Sequence, residues 1–306
     1  MFMNTHASKT AVIIAGPTAV GKTAIAVQLA KYFDTEIISA DSRQCYKELS
    51  IGVARPSRQE LSEVKHHFIA SHSVKDEINA AFFEKFATER AEEIFRQKDI
   101  LIVVGGTGLY IKAFCEGLDD IPETDPVVRN NVRKQYKERG LNWLQEELKN
   151  KDPLYYSRGE IKNPHRMMRA LEVKESTGYS VLEFRKKEKA RRNFNILKIG
   201  LHLQKEELQR NIAERVDKMM EAGLLNEVEQ LTTYKEYNAL QTVGYRELFE
   251  YLAGNADLSS AVGSIKKNTR LYAKRQMTWF RKDPEICWFT PDGYSDIVNS
   301  IRAALK

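Results

Sequence analysis

The sequence predicts an α/β protein, a parallel sheet flanked by helices with an all-helical insertion. Three observations predict this class. Short apolar runs end in glycine or in a carboxylate, helical patterns separate these runs, and a glycine-rich turn joins the first run to the first helix. The chain has 306 residues, 42% of them apolar, which is enough for one large domain or two modest ones.

Strands and helices alternate along the first third of the chain. TAVIIAG (10–16) predicts a buried strand, residues 22–32 a helix, and TEIISAD (35–41) a second strand. A helical pattern over 79–97 and the apolar run DILIVVGGTG (99–108) follow. Because parallel strands need crossover connections, we expect helices on both faces of this sheet.

The middle of the chain changes character after Gly117. A Pro/Asp-rich junction leads into polar, helix-forming residues, so we expect a helical insertion domain over residues 118–194. The sheet domain then consists of residues 1–117 and 195–306. NILKIGLHL (195–203) should return the chain to the sheet, and the rest is mostly helical.

The turn after the first strand has the full phosphate-loop signature G-x-x-x-x-G-K-[ST]. Backbone N–H groups of such a loop and the following helix N-terminus face an anion, the lysine reaches its outer phosphates, and the hydroxyl can hold Mg²⁺. The loop fits a pyrophosphate ester as well as a nucleotide. The predicted phosphate-binding residues are Gly16, Pro17, Thr18, Ala19, Val20, Gly21, Lys22 and Thr23.

Two polar groups are expected at the same sheet edge as this loop. Asp41 follows the second strand and Thr107 follows the third, and ligands of α/β proteins bind where the strands' carboxyl ends meet. Asp41 could be a general base, a Mg²⁺ partner or only a helix cap, and Thr107 could bind a ligand or only shape a turn. The third strand ends in glycines rather than aspartate, which weakens an ordinary ATPase interpretation.

His66 and His67 are neighbours in the sequence. On a strand they point to opposite faces, so they make poor joint metal ligands. We expect one to be packed and the other exposed.

Positive charge is concentrated in two segments. The net charge is +6, but residues 157–192 hold eleven Lys/Arg against five Asp/Glu, and residues 265–282 hold seven Lys/Arg and no acid. This distribution indicates a localised anion-binding surface. The basic run 185–192 could touch the anionic partner or be a solvated helix end.

Several other classes of protein are disfavoured. The composition argues against disorder and collagen, and three widely spaced cysteines without a C-x-x-C pair support neither a zinc finger nor a disulfide framework. The sequence has no apolar run of about 18 residues, so it predicts no membrane span, and the first residues do not resemble a signal peptide. We expect a cytoplasmic monomer without a membrane partner.

Eight segments in order carry a resemblance to one family. They are GPTAVGKT (16–23), ADSRQCYKELSIGVARP (40–56), HHF (66–68), VGGTGLYIKA (104–113), NPHRMMRALEV (163–173), RVDKMMEAGLLNEV (215–228), TVGYRE (242–247) and AKRQMTWFR (273–281). They resemble the bacterial tRNA dimethylallyltransferases, also called tRNA isopentenyltransferases. The resemblance covers about residues 10–289, most of the chain.

The resemblance implies a reaction. Members of the family transfer the dimethylallyl group from dimethylallyl diphosphate to N6 of adenosine 37, in tRNAs that read codons beginning with U, and they use Mg²⁺. Their phosphate loop holds the donor's diphosphate, which accounts for a kinase-like loop without the usual acid.

The resemblance also implies roles for residues of this chain. Lys22, Arg215 and Mg²⁺ on Thr23 neutralise the departing diphosphate, and Asp41 accepts the N6 proton and orients the amine. Thr107 contacts the adenosine or the donor. The adenine leaves its stack to reach the donor.

Contacts with tRNA are implied along four segments, residues 41–44, 164–168, 241–246 and 274–281, and at two further residues, Thr107 and Arg129. Basic side chains there would contact phosphates, while Tyr245, Trp279 and Phe280 could stack on bases or simply pack in the core. The implied residues are Asp41, Ser42, Arg43, Gln44, Thr107, Arg129, Pro164, His165, Arg166, Met167, Met168, Gln241, Thr242, Val243, Gly244, Tyr245, Arg246, Lys274, Arg275, Gln276, Met277, Thr278, Trp279, Phe280 and Arg281.

Three residues depart from the family pattern. Val20 replaces a small residue, Val53 a hydroxyl and Ala70 a carboxylate, which leaves fine contacts on the donor side open. Three other functions also stay open: a P-loop small-molecule kinase, a prenyltransferase acting on free adenylate, and a non-catalytic RNA-binding protein. The basic segments argue against the first two, and the retained catalytic residues against the third.

Overall fold

A computed structural model describes residues 9–185 and 188–305. These residues form two compact units. The sheet unit runs through Glu116 and resumes at Arg191, and the helical unit is Gly117–Ala190.

The sheet unit is built on a parallel sheet that has six strands within the described residues. The strands are β1 Thr10–Ala15, β2 Ile37–Ser39, β3 His66–His67, β4 Ile100–Gly105, β5 Asn195–Leu201 and β6 Ile286–Phe289, in the spatial order β3-β2-β4-β1-β5-β6. Ala15 pairs with Gly105 and Ser39 with Val104, so the carboxyl ends of β1, β2 and β4 are level. The predicted parallel α/β fold is confirmed.

Helices cover both faces of this sheet. The helices of the sheet unit are α1 Lys22–Tyr32, α2 Arg58–Glu63, α3 Ala80–Phe95, α4 Gly108–Glu116, α8 Lys205–Glu221, α9 Leu224–Gln230, α10 Tyr245–Leu252, α11 Leu258–Phe280 and α12 Tyr294–Ala304. The helical unit contains α5 Pro126–Lys151, α6 Pro153–Arg158 and α7 Pro164–Thr177. None of them, across the described ranges, is long and apolar enough to cross a membrane.

Alternation along the strands divides the apolar core between the two faces. Ala11 and Ile13 of β1 join a cluster with residues of α3, α4, α10 and α11. Val12 and Ile14 join a second cluster, with residues of α1 and α12. Successive strand residues point to opposite faces, so one apolar strand supplies both cores.

The helical unit has its own core, formed by α5, α6 and α7. Leu144, Leu148, Met167 and Leu171 are all fully buried there. Helix α5 changes direction at Gly140, whose φ of 75° is in the left-handed region. Asp and Asn caps followed by proline start each helix of this unit, which fits the polar, helix-forming sequence.

The basic run 185–192 is only partly described, because Lys186 and Lys187 lie outside the described residues. Its described part is not helical, so the interpretation as a helix end is wrong there. Arg192 belongs to the sheet unit, where it forms a 2.7 Å ion pair with Glu84 and donates to the carbonyl oxygen of Phe114. That side chain stabilises the fold of the sheet unit.

Candidate active site

A small cavity of about 80 Å³ lies at the carboxyl edge of the sheet. The phosphate loop, the ends of β2, β3 and β4, and side chains from α8 and α11 form its walls. Lys22, Thr23, Asp41 and Arg215 all line it. Asp41 and Arg215, which are distant in the sequence from Lys22 and Thr23, therefore lie at the same cavity as these two residues.

The phosphate loop adopts its conformation because two glycines permit it. Gly16 and Gly21 have φ of 145° and 98°, and a Cβ on Gly16 would lie 2.6 Å from the carbonyl oxygen of Leu201. Lys22 begins α1, and its Nζ donates to the carbonyl oxygen of Pro17 at 2.7 Å. Burial, with a smaller contribution from Arg215, lowers the pKa of Lys22 to about 7.

Helix α8 holds the phosphate loop in place from one side. Arg215 Nη1 donates to Thr18 Oγ1 at 3.3 Å, and Asn211 Nδ2 donates to the carbonyl oxygen of Ala19 at 3.4 Å. Arg215 therefore supplies both a positive charge at the cavity wall and a contact that orders the loop.

Asp41 both caps a turn and lines the cavity. Its Oδ1 accepts hydrogen bonds from the backbone N–H of Arg43 at 2.8 Å and of Gln44 at 3.3 Å. The capping interpretation accounts for one carboxylate oxygen, on a turn rather than on a helix. Because the side chain also borders the cavity, capping leaves a chemical role available.

Thr107 shapes the glycine turn after β4. Its Oγ1 accepts from the backbone N–H of Ser42 at 3.0 Å, and its own N–H donates to the carbonyl oxygen of Ala40 at 3.2 Å. These contacts fix the turn against the end of β2. The turn-shaping alternative thus explains the contacts of Thr107 within the chain.

His66 is a cavity residue that the sequence analysis missed. Its Nδ1 contacts the carbonyl oxygen of Val64 at 2.8 Å, and its Nε2 is buried without a hydrogen-bond partner among the described residues. His67 is buried and pairs with Glu36 at 2.5 Å. The expectation of one packed histidine holds for His67, but His66 lines the cavity instead of being exposed. Only its place on β3, beside β2, could have indicated this.

Two further cavity residues come from α11. Tyr272 lies one residue before the basic family segment and is 36% exposed, and Gln276 within that segment is 6% exposed. The sequence analysis did not assign Tyr272 and assigned Gln276 only to tRNA.

Of the implied tRNA-contact residues, one group lies at the surface. The exposed ones are His165, Arg166, Gln241, Arg246, Lys274, Arg275, Thr278, Trp279 and Arg281. The half-buried ones are Asp41, Ser42, Arg43, Gln44, Thr107, Arg129, Pro164, Thr242, Val243 and Met277.

A second group is buried, so its members do not present side chains to solvent in this structure. Its members are Met167, Met168, Gly244, Tyr245, Gln276 and Phe280. Stacking on bases is wrong for Tyr245 and Phe280, which are 0% and 2% exposed in the core. The hydroxyl of Tyr245 donates to Glu227 at 2.6 Å, so this ring packs and anchors α9.

The three departures from the family pattern occupy different environments. Val20 is buried in the core under α1, and Ala70 has a φ of 44° and donates its N–H to the carbonyl oxygen of Gln44. Val53 alone of the three lines the cavity.

A larger cavity, of about 680 Å³, adjoins the small one in the sheet unit. Both are bordered by Ala54, Pro56 and Arg215. Leu61 and Met219 give apolar wall to the larger cavity, which Arg215 also lines. An anionic group at Arg215 and an apolar group beside it would both find complementary surface.

Comparison with known proteins identifies the family. The sequence model of the family described as IPP transferase matches residues 44–283. The chain is 48% identical over 279 residues to a tRNA dimethylallyltransferase of Christiangramia forsetii, covering 91% of this chain and 92% of the relative. It is 44% identical over 299 residues to one of Cytophaga hutchinsonii, covering 98% of each.

Comparison with solved structures indicates the same family. A tRNA isopentenylpyrophosphate transferase of Bacillus halodurans superposes with a TM-score of 0.71 at 34% identity, covering 97% of both chains. A eukaryotic dimethylallyltransferase acting on tRNA superposes with a TM-score of 0.79 at 28% identity, covering 97% of this chain and 78% of the other. The chain, with its phosphate loop facing Asp41 and Arg215 across one cavity, therefore belongs to the IPP transferase family of tRNA dimethylallyltransferases.

Proposed function

We propose that this chain transfers the dimethylallyl group of dimethylallyl diphosphate to N6 of adenosine 37, in tRNAs that read codons beginning with U. The observation that carries the proposal is the convergence of Lys22, Thr23, Asp41 and Arg215 on one cavity. The names of relatives that match nearly the whole chain support the choice of substrates.

The donor's diphosphate would bind at the phosphate loop. The loop N–H groups, the Lys22 ammonium and the Arg215 guanidinium can each neutralise charge that appears on the diphosphate as the C1–O bond breaks. The larger cavity beside Arg215 supplies apolar wall for the dimethylallyl group. These contacts favour departure of the diphosphate. The allylic C1 tolerates the positive charge that develops on it as the C1–O bond breaks.

The acceptor nitrogen needs alignment and a proton acceptor. The lone pair of N6 forms the bond to C1, the electrons of the C1–O bond leave with diphosphate, and an N6 proton passes to a carboxylate. Asp41 is the carboxylate on the cavity wall, and its capped Oδ1 fixes the direction of the side chain. We assign it as the general base.

The cavity also has oxygen donors suited to Mg²⁺. This ion prefers oxygen ligands and usually binds through one or two protein groups together with substrate phosphates. The Thr23 hydroxyl borders the cavity next to Lys22 and would hold the ion, with Asp41 nearby. When bound, Mg²⁺ would add positive charge at the diphosphate.

Exposed basic side chains of each unit, taken separately, are the proposed tRNA contacts. In the sheet unit these are Arg246, Lys274, Arg275 and Arg281, and Arg166 is exposed in the helical unit. Such groups contact the phosphates of the tRNA and hold its anticodon loop while a base is extruded. The proposal includes a monomeric enzyme working in the cytoplasm, where tRNA is processed.

Incubation with two possible acceptors tests the proposal. The protein, Mg²⁺ and labelled dimethylallyl diphosphate are mixed with an unmodified tRNA reading a codon that begins with U, or with AMP. Label at N6 of adenosine 37 is expected, with none in AMP and none in a matched transcript carrying guanosine at position 37. Label in AMP would refute the choice of acceptor, and ATP hydrolysis without any transfer would indicate a kinase instead.

A further inference from the structure

Helix α11 places one polar side chain against the donor site rather than in solvent. Gln276 lies within the basic segment 274–281, between exposed Arg275 and half-buried Met277, yet it is only 6% exposed. A polar side chain buried this deeply needs hydrogen-bond partners, because an unpaired amide in the interior costs free energy.

Both partners of Gln276 belong to turns at the carboxyl edge of the sheet. The backbone N–H of Thr18 donates to its Oε1 at 2.8 Å, and its Nε2 donates to the carbonyl oxygen of Gly106 at 2.9 Å. A backbone N–H can only donate and a carbonyl can only accept, so the orientation of the amide is determined. One side chain thus joins the phosphate loop to the turn after β4.

The backbone makes room for this contact. A Cβ on Gly106 would lie 2.2 Å from Gln276 Nε2, so the amide can reach the turn only because residue 106 is glycine. Glycine is needed here for close approach. The same turn carries Thr107, whose contacts fix it against the end of β2 next to Asp41.

Thr18 is therefore held from two helices. Arg215 of α8 contacts its hydroxyl, and Gln276 of α11 accepts from its backbone N–H. A loop that binds an anion through its backbone loses affinity when that backbone is free to rearrange before binding.

We propose that Gln276 is a positioning residue of the donor site, which holds the phosphate loop in its diphosphate-binding conformation, and that it is not a tRNA contact. The proposal rests on the proposed function only for the identity of the donor. It also means that α11 presents exposed basic side chains to solvent while its buried face orders the phosphate loop.

The test separates the donor's KM from that of tRNA. Gln276→Met keeps a neutral side chain of similar length and removes both hydrogen bonds. We expect the KM for dimethylallyl diphosphate to rise about tenfold, in keeping with an unpaired buried N–H, with kcat within about threefold and the KM for tRNA unchanged. Gln276→Glu, which retains an acceptor for Thr18 but not the donor to Gly106, should raise the donor's KM as well.

A matched variant on the same helix controls for loss of stability. Asn268 Nδ2 donates to Glu247 at 2.7 Å, away from the loop, so Asn268→Ala removes a side-chain hydrogen bond from α11 without touching the donor site. We expect a lower melting temperature and an unchanged donor KM. A donor KM that rises equally in both variants, or a rise only in the KM for tRNA, would overturn the positioning role.

Direct binding of inorganic diphosphate with Mg²⁺ gives a comparison without tRNA. By calorimetry Gln276→Met should bind it about tenfold more weakly than the unchanged protein, and equal affinities would refute the inference. If the unchanged protein binds diphosphate but transfers no dimethylallyl group, the proposed function fails while this difference still supports the positioning role.

Discussion

The phosphate loop and helix α11 both reach the same cavity, but they use consecutive residues differently. In residues 16–23 most of the motif lines the site, through Thr18, Ala19, Gly21, Lys22 and Thr23, so the loop works largely as one element. In residues 274–281 helical periodicity turns Gln276 and Phe280 inward while Lys274, Arg275 and Arg281 stay exposed. A contiguous motif is therefore a functional unit in a loop, whereas on a helix it divides into two faces.

The same division recurs in the helical unit. Pro164, His165 and Arg166 begin α7 and are exposed or half-buried, but Met167 and Met168 pack into the core of that unit. The exposed residues remain candidates for tRNA contact, and the two methionines stabilise the helix that carries them.

The largest expected effect is at Asp41, whose side chain accepts hydrogen bonds from a turn and is also the proposed general base. Asp41→Asn keeps an oxygen that can accept from Arg43 and Gln44 but removes the basic carboxylate. We expect kcat to fall by about 10²–10⁴-fold, the usual contribution of general base catalysis, with tRNA affinity within a few-fold. Single-turnover transfer and filter binding measure the two. A large loss of tRNA binding would make Asp41 a recognition residue.

Two neighbouring aromatic residues test the division of α11 into faces. Phe280→Ala should lower the free energy of unfolding by about 3–5 kcal/mol, because it leaves a cavity in the core. Trp279 is 39% exposed, so Trp279→Ala should instead weaken the binding free energy for tRNA by about 1–3 kcal/mol. Urea unfolding and tRNA titration distinguish them. Equal loss of stability in both variants would contradict the assignment of faces.

The pH dependence of donor binding tests the role of Lys22 in the phosphate loop. The pKa of Lys22 is about 7 in the free protein, so the side chain is charged below pH 7 and becomes neutral above it. A bound diphosphate favours the charged form, and binding above pH 7 must then take up a proton. We expect donor affinity to fall as pH rises above 7, by up to about tenfold per unit.

The control for this prediction is Lys22→Arg, because guanidinium stays charged over the same range. Its donor affinity should be nearly independent of pH, whatever its absolute value. Calorimetry in buffers of different ionisation enthalpy counts the proton taken up. A pH profile shared by both proteins would assign the titration to another group.

The smallest expected effect is at a single exposed cation that directly follows α11. Arg281→Gln should weaken tRNA binding modestly and reduce the slope of log Kd against log salt by about one. Arg302→Gln is the matched control, since Arg302 is exposed on α12 outside the four segments. Its slope should not change. Equal slopes for Arg281→Gln and the unchanged protein would remove Arg281 from the tRNA surface.

Much of the fold and part of the site could be predicted from sequence. The strands over 10–16 and 99–108 were predictable because a buried parallel strand needs a continuous apolar run. Strand β6 was not, because its four residues are defined by pairing with β5, which is distant in the sequence. His66 was missed for the same reason, since its strand of two residues is defined by pairing with β2.

The sequence by itself determined the phosphate loop, the four strands β1, β2, β4 and β5, and the family, because these depend on local spacing and on residue types that few alternatives satisfy. Only the tertiary structure decided which residues of a motif face the cavity. Tyr272 and His66 enter it, Gln276 turns to the phosphate loop, and Tyr245 and Phe280 enter the core. The physical reason is that a side chain's direction follows from how its helix or strand packs, and that packing is set by residues distant in the sequence.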